Sequence, residues 1–355
     1  MAIIDQFLKE VVLKNGSDLH FVTGNKPMVR VHGSLINLRE DIISLEDGKT
    51  ILYEILTKSN RERFLTNLEV DFAYQIPNVS RFRVTMFHQT NGISAVFRVI
   101  PDHATSIEKL GLPQSIIKFA HLDRGLVLVT GATGSGKSTT LAVLIDLINR
   151  KGKKHIITIE DPIEFVHTSR GCLLTQREVG MHTESFADAL RSALRQDPDI
   201  ILVGEMRDLE TTRLTLSAAE TGILVFATVH TNSAIKTIDR VVDVFPVEEQ
   251  EHVRVMLSVA LRGVISQQLI PTGDGKGRVP AVEVMFCNSA ISNVIREGKT
   301  HQLTSLIQGC RKDGMQTMDQ SLMELFNNNI ISYDMTLSRI SDRGSFLRAV
   351  GGRKT

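Results

Sequence analysis

The rhythm of apolar and polar positions changes near residue 100. In the first stretch, Ile3, Ile4, Phe7, Leu8, Val11 and Val12 recur at helical spacing and predict an amphipathic helix over 3–14, stopped by Gly16-Ser17-Asp18. Runs at 19–23 and 28–32 read as strands about the turn Gly24-Asn25-Lys26-Pro27. Residues 46–66 read as two helices meeting near Asn60, and 70–76, 82–88 and 93–99 as three strands separated by Pro77-Asn78 and Asn91-Gly92. This is a small α/β domain over 1–100, followed at 101–113 by a proline-containing interdomain linker. Beyond it, strands at 126–130, 155–159, 200–203 and 223–229 alternate with helices at 137–150, 185–195 and 208–220, which implies a largely parallel sheet. Asp208 suits the N-cap of the third helix, and Gly222 its stop. A helix at 247–264, a strand-like run at 281–286 and helices at 289–297, 300–310, 318–328 and 333–340 complete the pattern, with an unstructured tail at 351–355. The fold class is α/β: an α/β core over 114–286, then a C-terminal helical region over 287–355.

Composition narrows the function more than it defines it. The chain of 355 residues has a net charge of +1, so no global basic field argues for nucleic acid. Cys172, Cys287 and Cys310 form no C-x-x-C pair, which points to reduced thiols in a cytosolic protein rather than to a disulfide framework or thiolate zinc site. No window approaches the length of a membrane span, and the charged N-terminal turns are unlike a signal peptide, so membrane association would come through partners.

The most specific chemical signal is Gly131-Ala132-Thr133-Gly134-Ser135-Gly136-Lys137-Ser138, set between an apolar strand and a helix. This is the pattern of a phosphate-binding loop in the context that defines one. Glycines let several N–H groups turn toward one anion, and the following helix adds the positive end of its dipole. Lys137 is placed for the β and γ phosphates and Ser138 for Mg²⁺.

Three later stretches supply candidates for the remaining parts of a nucleotide site. One strand-like run ends in Glu160-Asp161-Pro162-Ile163-Glu164, which is either a solvated acidic turn or a set of carboxylates at the ligand edge of the sheet. The apolar run Ile200-Ile201-Leu202-Val203 before Gly204-Glu205 makes a Walker B pattern, with Glu205 positioned to hold Mg²⁺ through water. His230 follows Phe226-Ala227-Thr228-Val229 at another strand end, as a structural histidine or as a γ-phosphate sensor. In the first domain, Arg81 and Arg83 share a strand face by the period of two and Arg98 lies on the next strand; they are solvated charges or arginines that reach a phosphate across a boundary.

Taken in order, GATGSGKSTT at 131–140, ITIEDPIEF at 157–165, LRQDPDIILVGEMRD at 194–208, TGILVFATVHTNSA at 221–234 and IDRVVDVFP at 238–246 resemble the secretion ATPase superfamily, most nearly the PilT-type retraction ATPases of the type IV pilus. The resemblance spans nearly the whole chain, from Gly16-Ser17-Asp18-Leu19-His20 to Ile295-Arg296-Glu297-Gly298-Lys299. It implies a homo-hexameric ring whose subunits each pair a PAS-like N-terminal domain with a RecA-like ATPase domain, with ATP bound between them. Lys137, Ser138 and Thr139 would then bind phosphates and Mg²⁺, Glu164 would activate water, Glu205 would help hold Mg²⁺, and His230 would couple nucleotide to domain position. Arg81, Arg83 and Arg98 are candidates for N-domain arginines that reach the nucleotide.

The implied partners are an inner-membrane pilus platform protein and a paralogous pilus ATPase, at the cytoplasmic face of the membrane. The chain begins directly at the PAS-like domain and lacks a tetracysteine element, which favours the retraction branch over pilus-assembly and type II secretion ATPases. Ser292 departs from the family's C-terminal motif, where an arginine stands; this bears on a specialised paralogue, but not on hydrolysis. A nucleic-acid motor, the more distant reading, is disfavoured by the absence of Trp and by the charge balance, so no nucleic-acid partner is expected. A nonhydrolytic regulator is disfavoured by the complete set of acids.

Overall fold

The structure, a computed structural model, describes residues 2–31, 33–100, 106–275 and 277–351. The chain divides into two compact units: Met1–His103 with Pro162–Val166, and Ala104–Asp161 with His167–Thr355. His32, the end of the strand expected at 28–32, lies outside the described residues, as do 101–105 of the expected linker and 352–355 of the expected tail.

In the first unit, α1 (Ile4–Leu13) precedes β1 (Asp18–Phe21), β2 (Met28–Val31) and β3 (Ser34–Asn37). Then come α2 (Leu45–Glu54), α3 (Lys58–Asn67), β4 (Glu69–Ile76), β5 (Ser80–Gln89) and β6 (Gly92–Ile100). The six strands form an antiparallel sheet in the order β3-β2-β1-β6-β5-β4. Alternation sorts its faces: Phe82, Val84, Met86, Ala95 and Phe97 join Ile4, Leu8 and Phe64 of the helices in one core. Arg81, Arg83 and Arg98 therefore fall on the opposite face. The helix joint precedes the expected Asn60, because the Thr57 hydroxyl accepts the Asn60 N–H and caps α3.

The second unit opens with α4 (Ile107–Leu110), whose Ile107 is buried with Leu112, Ile116 and Phe119 against the sheet. The described part of the 101–113 segment thus packs into this unit. Its elements continue as β7 (Gly125–Thr130), α5 (Lys137–Lys151), β8 (His155–Glu160), β9 (Leu173–Glu178), α6 (Phe186–Ala193), β10 (Ile200–Val203), α7 (Leu209–Glu220), β11 (Leu224–Val229), α8 (Ala234–Asp243) and α9 (Val247–Ala260). They end with β12 (Leu261–Pro271), β13 (Arg278–Phe286), α10 (Ser289–Arg296), α11 (Leu303–Gly309), α12 (Met318–Asn327), α13 (Tyr333–Arg339) and α14 (Arg343–Val350). The seven strands run β13-β12-β7-β11-β10-β8-β9, parallel except at β12–β13.

Strand β7 is buried along its whole length, as a central parallel strand covered on both faces must be. Asp208 caps α7 as expected, its carboxylate accepting the Thr211 N–H at 2.8 Å. The expected helix over 247–264 stops at Ala260, where the backbone turns extended and becomes β12 without a break in chain. The C-terminal helices are part of this unit: α12, α13 and α14 share a core with Ile270 of β12 and Ala281 of β13. Leu216 of α7 is fully buried beneath the sheet. Leu216→Ala is expected to cost about 2–5 kcal/mol, read as a lowered urea midpoint for this unit; an unchanged midpoint would contradict the packing.

Candidate functional site

Strand β7 releases the chain at Thr130 into a loop that only glycine can shape. Gly131, Gly134 and Gly136 have φ of +149°, +77° and +90°. Space imposes the same choice: a Cβ on Gly131 would lie 2.3 Å from Ser135 Oγ and 2.4 Å from the Gln267 carbonyl oxygen, and one on Gly136 would lie 2.7 Å from Gln267 Nε2. The N-cap of α5 is Gly136, which offers no side-chain acceptor, and the first turn carries no acid. Its amides and the positive end of its dipole are left for an anion. Lys137 Nζ donates to the carbonyls of Gly131 at 2.9 Å and Ala132 at 3.1 Å, so its charge folds over the loop. Among the described residues Ser135 Oγ is buried without a hydrogen-bond partner, facing the same loop. Loop amides, ammonium and hydroxyl fit a phosphate group.

Gln267 of β12 also belongs to this site. Its Oε1 accepts the Thr140 hydroxyl at 2.7 Å, bracing the first turn of α5 from behind the loop. The sequence pattern leaves 265–280 without an element, so Gln267 is not among the expected site residues.

One and two strands from β7, at the same edge, stand His230 after β11 and Glu205 after β10. The turn that carries Glu205 is stitched to both neighbours. Gly204 N–H donates to the Ile159 carbonyl at 2.7 Å, Met206 N–H to the Thr228 carbonyl at 3.0 Å, and the Thr228 hydroxyl to the Gly204 carbonyl. The Glu205 carboxylate is gripped from two sides, by His230 Nε2 at 3.0 Å and by Arg207 Nη2 at 2.7 Å. Burial works to raise the Glu205 pKa, but the hydrogen bond from Arg207 and the charges of His230 and Arg207 outweigh it and hold the carboxyl below its usual range. Arg207 stands two residues from Glu205 in the same motif, yet nothing in its spacing announced this contact.

The other candidates are placed differently. Glu160 accepts the Thr158 hydroxyl at 2.6 Å and a Gln176 side-chain N–H at 3.2 Å, within the sheet edge. Glu164, half-buried, sits in Pro162–Val166 and so belongs to the first unit. Arg81, Arg83 and Arg98 lie in that unit too. Arg83 faces Arg98 across β5–β6, and Arg98 Nε is bound to Asp18 at 2.9 Å. Among the described residues no group of three or more His, Cys, Asp or Glu side chains is arranged to hold a metal by itself. Ser138 and Thr139 are half-buried in the first turn of α5.

The chain is similar to known proteins over nearly its whole length. The family model described as type II/IV secretion system protein matches residues 1–333. A type IV pilus retraction ATPase, PilT, of Pseudomonas aeruginosa is 51% identical over 329 residues, covering 93% of this chain and 95% of the relative. A twitching motility protein of Neisseria gonorrhoeae is 51% identical over 319 residues, 90% of this chain and 85% of the relative. The crystal structure of a pilus retraction motor PilT with bound ADP superposes with a TM-score of 0.91 at 45% identity, covering 98% of this chain and 99% of that one.

The grip on Glu205 has a pH signature. Because the folded-state pKa is depressed, its contribution to stability is whole above the ordinary carboxyl range and is lost as pH falls through the depressed value. Arg207→Ala is expected to lower stability at pH 7 and to lose that effect in acid, once Glu205 is protonated. Urea midpoints of both proteins at the two pH values check this; a difference undiminished in acid would contradict it.

Proposed function

We propose a function from one premise: the chain belongs to the type II/IV secretion system protein family. It is an ATP-hydrolysing motor that powers type IV pilus retraction, and so twitching motility. The observation that carries this reading is the phosphate loop beside the Glu205–His230 pair on one sheet edge, in a chain half identical to a pilus retraction ATPase.

ATP phosphates are taken by the amides of Gly131–Lys137, with Lys137 Nζ exchanging its loop carbonyls for β and γ oxygens. Ser138 and Thr139 present hydroxyls from the first turn of α5 to the phosphates. The Ser138 hydroxyl and, through water, the Glu205 carboxylate would hold Mg²⁺, which would supply positive charge beside the phosphates. Glu205 is suited to that role because Arg207 and His230 keep it ionised and fix its direction. Glu164 orients the attacking water and takes its proton. His230 senses the γ phosphate, since any shift of its ring alters its bond to Glu205. Arg81, Arg83 and Arg98 are candidates to contact the nucleotide; within the first unit Arg98 is paired with Asp18.

The working form is a homo-hexamer that converts each turnover into movement of one unit against the other and transmits it to a membrane platform protein. It acts at the cytoplasmic face of the membrane; among the described residues no helix is long and apolar enough to cross it. Ser292, half-buried on α10, bears on this output rather than on hydrolysis.

Lys137→Ala is expected to abolish nucleotide binding and turnover. Glu164→Gln is expected to keep binding while lowering kcat by about 10²–10⁴-fold, the range of a lost general base. Steady-state hydrolysis and nucleotide-binding assays on the purified hexamer test both, and unchanged hydrolysis in both variants would refute the assignment.

A further inference from the structure

Glu283, on β13, is a buried carboxyl that the nucleotide chemistry does not use. Its Oε1 accepts the N–H of Ala234 at 2.6 Å, and its Oε2 accepts the N–H of Met318 at 3.3 Å. Those are the first residues of α8 and of α12, so one side chain closes the N-termini of two helices from different parts of the chain. Burial pushes the Glu283 pKa up and the two amides pull it back. Helix N-termini favour an acceptor at this place.

Each helix leads somewhere. Helix α8 begins four residues after His230, and the intervening Thr231 and Ser233 are tied to it: Thr231 Oγ1 lies 2.6 Å from Thr237 Oγ1, and Ser233 Oγ accepts the Lys236 N–H at 3.2 Å. A displacement of His230 therefore reaches the start of α8 with little slack. Helix α12 is fixed to β13 on both sides of Glu283. Ser321 Oγ accepts the Val282 N–H at 3.0 Å, and Gln316 exchanges backbone hydrogen bonds with Val284. In its first turn, Asp319 accepts the N–H groups of Ser341 and Asp342, both at 2.9 Å, and so holds the junction of α13 and α14.

We propose that Glu283 is a positioning residue that couples the His230 loop to the C-terminal helices by closing α8 and α12 with one carboxyl. Movement of the loop changes one of its two acceptances, and the other helix end feels the loss. The proposal rests on His230 sensing nucleotide. Glu283→Gln keeps the size but turns one acceptor oxygen into a donor, so one helix end is left unsatisfied.

The test is hydrogen exchange of the amides at 234–237 and 318–321 in the full-length protein, with and without a nonhydrolysable ATP analogue. In the wild type the analogue is expected to change exchange at both segments by about tenfold. In E283Q, with analogue affinity retained, the response at 234–237 should remain and that at 318–321 should vanish. A response at 318–321 that survives E283Q overturns the coupling alone. A wild type in which neither segment responds overturns the sensor reading and the coupling with it. Should E283Q not fold, Glu283→Asp, too short to reach both amides, decides by the same comparison.

Discussion

Six strands of the second unit run the same way, and that constraint governs where its chemistry can lie. A parallel strand buried on both faces carries mostly apolar side chains, so charged function is pushed to its ends. Because the strands are parallel, their carboxyl ends share one edge. The phosphate loop, His230 and Glu205 come together there although long stretches of sequence separate them. The backbone bonds from Gly204 and Met206 to the flanking strands convert this coarse placement into a defined direction for the Glu205 carboxylate.

The opposite polarity of β13 has its own consequence. As the antiparallel edge strand it carries Glu283 to the starts of α8 and α12, joining the helix that follows His230 to the C-terminal helices. One sheet thus serves two ends: its parallel strands gather the candidate phosphate ligands at one edge, and its last pair ties the start of α8 to the start of α12.

Much of this was legible in the sequence. The loop, the Walker B strand, the run ending in His230 and the capped helix α7 carry strong local signals that tertiary structure does not oppose. What failed to show has specific causes. Strand β3 is exposed at all four positions and β9 at the sheet edge is half-exposed, so neither shows alternation. Strand β12 follows α9 with no turn residue between them, so the helical pattern ran on to 264, into its first residues, and the rest of the strand, Gln267 included, was assigned no element. Helix α8 was detectable, since Ala234, Thr237, Ile238, Val241 and Val242 recur at helical spacing. The hold of Arg207 on Glu205, and the two helix ends on Glu283, are contacts that a one-dimensional pattern does not encode. Glu164 shows the limit of motif proximity: four residues after Glu160 it has left the sheet for the other unit.

The central claim is that this sheet edge drives retraction of a pilus. It is tested most directly by deleting the gene in a piliated host, restoring either the wild-type chain or the Lys137→Ala form, and scoring surface pili and twitching together. The account predicts cells with excess pili that do not twitch, rescued by the wild type and not by Lys137→Ala. Bare cells after deletion would contradict it, placing the motor in assembly instead.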